Sequence, residues 1–377
     1  MRGVIDPELG DDLVDLGMYQ GADISPGGEV TVRVALTTAG CPLRAQIQRD
    51  VTERVGSVPG VASVTVTTSE MSPAQRKELM ARARRRAQEN PPATDIPGRT
   101  RVLAISSGKG GVGKSSVTVN LAAGLAVRGF TVGLLDADIA GFSVPRMLGV
   151  EGRLQAARSD GSDRPRIEPM SKPVGDGIVK VVSMGFLSPE DEAIMWRGLM
   201  LNRGVQHFLE DVAWGDLDYL LVDMPPGTGD VQMGLARMLP RAEMLIVTTP
   251  ALAAQKVAVR AADMARKGYL RVAGVIENMS GFTCDHGEHY ELFGSGGGER
   301  LSREIGVPLL ARIPLEPAVS AGGDRGEPAA LGQGQAARSF SGLVDAVLEV
   351  APLIEMQDCT ARMFDAVDAA LAARDDR

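Results

Sequence analysis

Cysteine is scarce in this 377-residue chain, which holds only Cys41, Cys284 and Cys359. Three thiols cannot build a disulfide framework, so the fold must rest on buried apolar surface and each cysteine is judged by its own surroundings. Long apolar runs are missing too: none approaches the roughly 18–20 residues that cross a bilayer. The opening Met1-Arg-Gly-Val-Ile-Asp6 lacks the apolar core of a signal peptide. The expected location is therefore the cytoplasm, with no membrane partner. Positive charge is in deficit, 40 Lys and Arg against 48 Asp and Glu, for a net charge of −8. A general nucleic-acid binder needs a clustered positive surface, so nucleic acid is not an expected partner. What remains, 44% apolar and 23% charged residues over this length, is the composition of a globular protein with a large core and room for two domains.

Against that background one segment stands out, Gly108-Lys-Gly-Gly-Val-Gly-Lys-Ser115. It follows Arg101-Val-Leu-Ala-Ile-Ser106, which reads as a buried parallel strand, and precedes a helical pattern from Ser116 to Val127. Strand, glycine-rich loop and helix are the setting of a phosphate-binding loop. Gly108, Gly110, Gly111 and Gly113 let the backbone turn tightly and aim its N–H groups at a triphosphate, which also gains from the positive end of the helix. Lys109, Val112 and Ser116 complete the candidate nucleotide-binding set. Lys114, read as solvent-facing, reaches for the β- and γ-phosphates, and Ser115 offers its hydroxyl to Mg²⁺.

The rest of the chain falls into segments. Residues 1–70 alternate strand and helix: Val30–Leu36 as a half-buried strand, Leu43–Val55 with helical spacing, Val61–Thr67 alternating again. This predicts a small α+β domain. Residues 71–98 begin as a basic helix, with Arg76, Lys77, Arg82, Arg84, Arg85 and Arg86, and end in the linker Asn90-Pro-Pro-Ala-Thr-Asp-Ile-Pro-Gly98. The basic run reads as a solvated connecting helix, with RNA or an acidic partner as the other reading. Over 99–352, apolar runs at 131–136, 178–184, 218–223, 244–249, 272–278 and 309–314 alternate with helical patterns. Continuous apolar strands spaced by helices predict a doubly wound α/β fold with a mostly parallel sheet. Residues 151–177 read as an irregular excursion, and 353–377 as a final helix whose apolar side, with Met363, Phe364, Val367, Ala370 and Leu371, packs on the body or on a partner.

Carboxylates end several of these strands. Leu134-Leu-Asp-Ala-Asp138 places Asp136 and Asp138 at the carboxyl edge of the sheet, where doubly wound folds bind ligands. Asp138 is the candidate for orienting an attacking water, with Asp136 supporting the metal shell. Leu220-Leu-Val-Asp-Met-Pro-Pro-Gly-Thr-Gly-Asp230 ends a further strand in Asp223, read as the group holding Mg²⁺ through water, with Gly227–Gly229 as a switch for the γ-phosphate. Each aspartate alone could be a helix cap; their recurrence at successive strand ends points to a site. Asn278 is a candidate for adenine, or simply a strand-end residue.

These residues resemble the Mrp/ApbC group of iron–sulfur cluster carrier ATPases, within the larger class that includes MinD, ParA and nitrogenase iron protein. The likeness runs from Arg101 to about Leu331 and is carried by Gly108–Ser115, Asp136-Ala-Asp-Ile139, Val144-Pro-Arg-Met-Leu-Gly149, Met195-Trp-Arg-Gly198, Asp218–Asp230, Thr248-Thr-Pro250, Glu277-Asn-Met-Ser280 and Leu292-Phe-Gly-Ser-Gly-Gly297. Residues 1–70, with Ile5-Asp-Pro-Glu-Leu9, Val14-Asp-Leu-Gly17 and Thr37-Thr-Ala-Gly-Cys-Pro-Leu43, resemble the small iron–sulfur assembly domain that often precedes it. The resemblance implies a slow ATP hydrolase that acts as a homodimer, with Lys109 reaching the partner's nucleotide and Lys109, Lys114 and Asp138 as the catalytic set. It also implies ATP and Mg²⁺ as ligands, a [4Fe–4S] cluster as cargo, and apo iron–sulfur proteins as partners.

One departure from the pattern concerns the cluster. The resemblance leads to an expected Cys-x-x-Cys after Asn-Met-Ser, yet the chain reads Phe282-Thr-Cys-Asp-His-Gly-Glu-His-Tyr290 with a single thiol, Cys284. His286 and His289 are possible nitrogen ligands or chance neighbours. Cys41 precedes Pro42, a natural first helical residue, which places its thiol near a helix N-terminus as a reactive group or, alternatively, a structural one. Two rival readings remain: a partition or positioning switch of the ParA/MinD type, and an ATPase that has lost its cluster. Trp196-Arg-Gly198, the N-terminal domain and the absence of a basic amphipathic tail favour the carrier.

Overall fold

The computed structural model describes residues 1–353 apart from 7–11, 37–43, 73, 76–77, 80–81, 83–93, 95, 139–140, 158–164, 187–197, 228–231, 233, 236–237 and 269. Cys41, Cys359, Trp196 and the expected C-terminal helix thus lie outside the described residues, as does most of the basic run, of which 74–75, 78–79 and 82 are helical. The chain divides into two compact units, 1–91 and 92–377.

In the first unit β1 (Tyr19–Ile24), β2 (Glu29–Leu36) and β3 (Ser63–Glu70) form one sheet in that order, with α1 (Arg44–Gly56) crossing from β2 to β3. β1 runs antiparallel and β3 parallel to β2. Alternation along β2 buries Val30, Val32 and Val34, while fourfold spacing along α1 buries Ile47, Val51 and Val55. A strand period of two and a helix period near four therefore supply the two halves of this core.

The second unit runs β4 (Arg101–Ser107), α2 (Lys114–Val127), β5 (Thr131–Asp136), α3 (Val144–Leu148), the short ribbon β6 (Gln155–Ala157) with β7 (Arg166–Glu168), β8 (Met170–Val174), β9 (Gly177–Ser183) and α4 (Gly198–Glu210). It continues with β10 (Tyr219–Asp223), β11 (Glu243–Thr248), α5 (Leu252–Lys267), β12 (Arg271–Glu277), the hairpin β13 (Phe282–Thr283) and β14 (His289–Tyr290), α6 (Gly297–Ile305), β15 (Leu309–Arg312), α7 (Pro317–Arg325) and α8 (Gln335–Val350). Eight strands form one sheet in the order β15-β12-β11-β4-β10-β5-β9-β8. All neighbours are parallel except β8 and β9. Leu103 and Ile105 of β4 enter one apolar cluster with Leu121, Leu125 and Phe340, while Val102 and Ala104 enter another with Trp214, Val222 and Met244. Both faces are covered, which is why these strands read as unbroken apolar runs.

Residues 151–177 are more ordered than the sequence reading allowed: they contain the β6–β7 ribbon and the antiparallel edge strand β8. Pro173 disguised β8, since proline is tolerated at a sheet edge and breaks a central strand. Among the described residues no helix is long and apolar enough to cross a membrane.

Candidate functional site

The loop between β4 and α2 sits at the centre of the sheet, where successive strands are laid down to opposite sides. In such sheets the crevice outside the carboxyl ends receives the ligand. Gly113 caps α2 with φ 78°, and Gly111 has the same value, both in the left-handed region that favours glycine. A Cβ on Gly108 would lie 2.4 Å from the Val257 carbonyl carbon, so the backbone of α5 lies against the loop entrance. At Gly110 and Gly111 a Cβ would meet nothing within 4 Å, which leaves the cradle open.

The strand-end carboxylates converge on this loop. β5 and β10 pair in register, so Asp136 and Asp223 end side by side. Lys114 Nζ lies 2.7 Å from Asp223 Oδ1, 3.9 Å from Asp138 Oδ2 and 3.3 Å from Ser115 Oγ. Ser115 Oγ donates to Asp223 Oδ2 at 2.6 Å, and Thr118 Oγ1 donates to Oδ1 at 2.8 Å. The Lys114 side chain is only 6% exposed, correcting the expectation that it faces solvent. Its ammonium is drawn in by carboxylates that the sheet brings from distant segments.

Asp136 is fully buried and accepts from Ser183 Oγ at 3.0 Å, from the Asp138 N–H at 3.2 Å and from the Val144 N–H at 3.4 Å. Burial, reinforced by the Asp223 charge and opposed by Lys114 and the Ser183 hydrogen bond, pushes its carboxyl up to about 7. Burial also raises the Asp138 carboxyl, with Lys114 opposing and Asp223 adding to the rise. Asp138 nevertheless keeps 18% of its side chain exposed, so water can reach it.

Lys109 and Gly110 stand outside this cluster, exposed at the loop tip, and the Lys109 carbonyl accepts from Ser107 Oγ. Ser116 is half-buried and its carbonyl accepts from the Asn120 side chain. Asn278 sits behind the loop: it donates its amide to the Val112 carbonyl at 2.9 Å. A Cβ on Gly113 would come within 2.2 Å of that amide nitrogen, so glycine is required there for packing as well as for φ. Gly227 donates its N–H to Ser107 O at 3.1 Å with φ 94°, whereas 228–230 lie outside the described residues. Sequence reasoning missed Thr118 and Ser183. Thr118 was findable as the residue one turn beyond Ser115, and Ser183 as the end of the strand beside Asp136.

Cys284 occupies a β-hairpin at the same edge. Its N–H donates to Glu288 O and its carbonyl accepts from Gly287 N, both at 2.9 Å, with Gly287 at φ 84°. This is a three-residue turn, Asp285-His286-Gly287, closed by a left-handed glycine. Cys284 is half-buried, and His286 and His289 are exposed. His289 Nδ1 lies 3.3 Å from Thr283 Oγ1. Among the described residues no three His, Cys, Asp or Glu side chains are grouped to hold a metal ion.

Comparison with known proteins agrees with this architecture. The profile of the NUBPL iron-transfer P-loop NTPase family matches residues 98–348, and that of iron-sulfur cluster assembly proteins matches 1–67. The iron-sulfur cluster carrier protein of Mycobacterium bovis is 48% identical over 336 residues, 87% of this chain and 85% of the relative. That of Synechocystis is 43% identical over 339 residues, covering 89% and 91%. Among solved structures, a nucleotide-binding protein from Archaeoglobus fulgidus in complex with ADP is 36% identical with a TM-score of 0.49, covering 60% of this chain and 86% of that one. The chain belongs to the NUBPL iron-transfer P-loop NTPase family.

Proposed function

We propose that the chain is an ATP-hydrolysing carrier that holds an iron–sulfur cluster as cargo and passes it to apo-proteins, working as a homodimer. The observation that carries the nucleotide half is the convergence of Asp223, Asp138 and Ser115 on the buried Lys114 at the mouth of an open glycine loop. Backbone N–H groups of residues 110–115 bind the phosphates, and Lys114 leaves Asp223 to neutralise their terminal charge. Asp138, partly exposed and raised by burial, accepts a hydrogen bond from the attacking water and aligns it. The donor set fits Mg²⁺, a hard ion taking oxygen ligands: Ser115 and Asp223 would hold it, and it would draw charge from the phosphate oxygens. Lys109, exposed at the loop tip, is free to reach a second subunit's nucleotide.

The cargo half rests on the relatives' printed role and on Cys284. A single protomer groups no complete ligand set among its described residues, which favours a cluster shared between two copies of the hairpin. Two Cys284 thiolates leave a four-iron cluster two positions to be met by His286, His289 or an outside ligand, so retention is weaker than at a four-cysteine site. Anaerobic reconstitution with iron and sulfide tests this by absorption and by metal counting. Wild type takes up a cluster and loses it readily; Cys284→Ser takes up none; changing both histidines lowers occupancy or shifts the spectrum. Wild-type protein that hydrolyses ATP but takes up no cluster would make the chain an ATP-driven switch instead.

A further inference from the structure

Asn278, which holds the phosphate loop through the Val112 carbonyl, and Cys284 are the ends of a seven-residue segment, and one residue within it is conformationally unusual. Met279 has φ 55°, the only positive φ of a non-glycine residue among those described. An unbranched apolar side chain gains nothing from the left-handed region, so the conformation persists only because its neighbours impose it. Those neighbours are identifiable on both sides.

On the loop side, Asn278 is gripped twice. Its side chain holds the Val112 carbonyl, and its N–H donates to Thr248 O at 2.8 Å. On the hairpin side, Ser280 donates its N–H to Ile313 O at 2.9 Å and its hydroxyl to Glu277 Oε1 at 2.6 Å. Glu277 is itself fully buried, and its other oxygen accepts the Gly298 N–H at the start of α6. Gly281 follows at φ 91°, its carbonyl accepting from Leu315 N at 2.7 Å. A Cβ there would stand 2.4 Å from the His289 ring, so the far strand of the hairpin rests directly on the joint. Met279, whose carbonyl accepts from the Gly281 N–H at 3.0 Å, is thus the strained residue between a side chain that holds the phosphate loop and a hairpin that holds the thiol.

We propose that Met279 is a positioning residue: its strained backbone couples the state of the phosphate loop to the geometry and reactivity of Cys284. Phosphates entering the cradle draw the 110–115 N–H groups inward and turn the Val112 carbonyl, which Asn278 follows. Ser280 and Gly281 are fixed to Ile313 and Leu315, just beyond β15, so the change is absorbed at Met279, whose backbone has a lower-energy alternative to move toward. The hairpin, resting on Gly281 through His289, moves with it. This coupling rests on the nucleotide-binding part of the function proposed above.

The test uses the cluster-free full chain and follows iodoacetamide labelling of Cys284 by peptide mass, so that Cys41 and Cys359 do not interfere, with ATP affinity measured in the same samples. Saturating Mg·ATP changes the wild-type Cys284 labelling rate by at least about fivefold, the lower end of ordinary allosteric coupling. Met279→Gly, which adopts φ 55° without strain, and Met279→Asn, which tolerates it, fold and bind ATP but bring the ratio with and without nucleotide close to one. A ratio retained in both variants overturns the proposal, because it would then arise from subunit association or another route. ATP binding with no change in the wild-type rate overturns the coupling alone, whereas absence of ATP binding removes the functional reading and the coupling with it.

Discussion

At the phosphate loop the charged groups are inside: Lys114 is 6% exposed and Asp223 fully buried. Six residues beyond Asn278, the hairpin leaves Cys284 half-buried and His286 and His289 exposed. Both features hang from the carboxyl edge of one sheet, yet they are built on opposite principles. Charges fixed in a water-poor setting act strongly on a developing charge and need no reorganisation at the moment of reaction, so the loop gains from burial. On the function proposed above, a thiol that receives and releases cargo must be reachable by another molecule, and the hairpin leaves Cys284 only half-buried. The contrast separates charges that one chain buries around its phosphate loop from a thiol that it leaves within reach of a second molecule.

The largest effect expected of that contrast comes from Lys114→Ala. Mg·ATP affinity should fall by about a hundredfold or more and turnover to background, because the terminal phosphates lose their counter-charge. Asp223 and Asp138 are also left without their cation, so the nucleotide-free protein should lose about 3 kcal/mol of stability, read as a lowered midpoint in calorimetry. Lys109→Ala is the matched control on an exposed lysine: stability within about 0.5 kcal/mol of wild type, affinity largely kept, hydrolysis abolished. Wild-type turnover in Lys114→Ala would sink the site assignment, and wild-type turnover in Lys109→Ala would sink the reach across subunits.

A middle-sized effect is the pH dependence carried by Asp136. Its folded-state value, about 7, lies above the unfolded value of 3.8, so the native state binds the extra proton between them. Stability from this group is therefore fully present below about pH 4 and falls as pH rises, the loss being complete above about pH 7. The slope reaches up to about 1.4 kcal/mol per pH unit inside the window. Asp136→Asn, which keeps an acceptor for Ser183 and the Val144 N–H, should flatten the slope of the nucleotide-free protein between pH 4 and 7. An unchanged slope in urea unfolding would show that another group sets it.

The comparison also explains what could be read from the sequence. The central strands were legible because a sheet covered on both faces writes unbroken apolar runs, and Asp136 and Asp223 were legible because each ends such a run. β1 was not: Tyr19-Gln-Gly-Ala-Asp-Ile24 alternates weakly, and its pairing with β2 shifts register between Tyr19 and Gly21. The burial of Lys114 was hidden because it depends on carboxylates over 20 and over 100 residues away, a property of the sheet order and of no local pattern. Met279 gave no sign at all, since methionine has no preference for the left-handed region and its conformation is imposed by Asn278 and Ser280. The departure at Cys284 was visible as a missing second cysteine, but the hairpin that presents the remaining thiol was not.

The smallest effect, and the finest test of the buried side of the comparison, is Thr118→Val. Asp223 receives three donors, Lys114 at 2.7 Å, Ser115 at 2.6 Å and Thr118 at 2.8 Å. Valine keeps the branched shape and removes only the third. The Thr118 hydroxyl also lies 2.9 Å from the Lys114 carbonyl one turn back, so its single proton is shared between two acceptors. Loss of a shared bond to a carboxylate that keeps two other donors should cost about 1 kcal/mol of stability. If that bond also holds Asp223 in line with Ser115, turnover should fall severalfold, less than the tenfold that about 1.4 kcal/mol represents, with KM nearly unchanged. A rise in KM at constant kcat would mean that Thr118 shapes the loop for binding, and that Ser115 and Lys114 alone hold Asp223 in its working position.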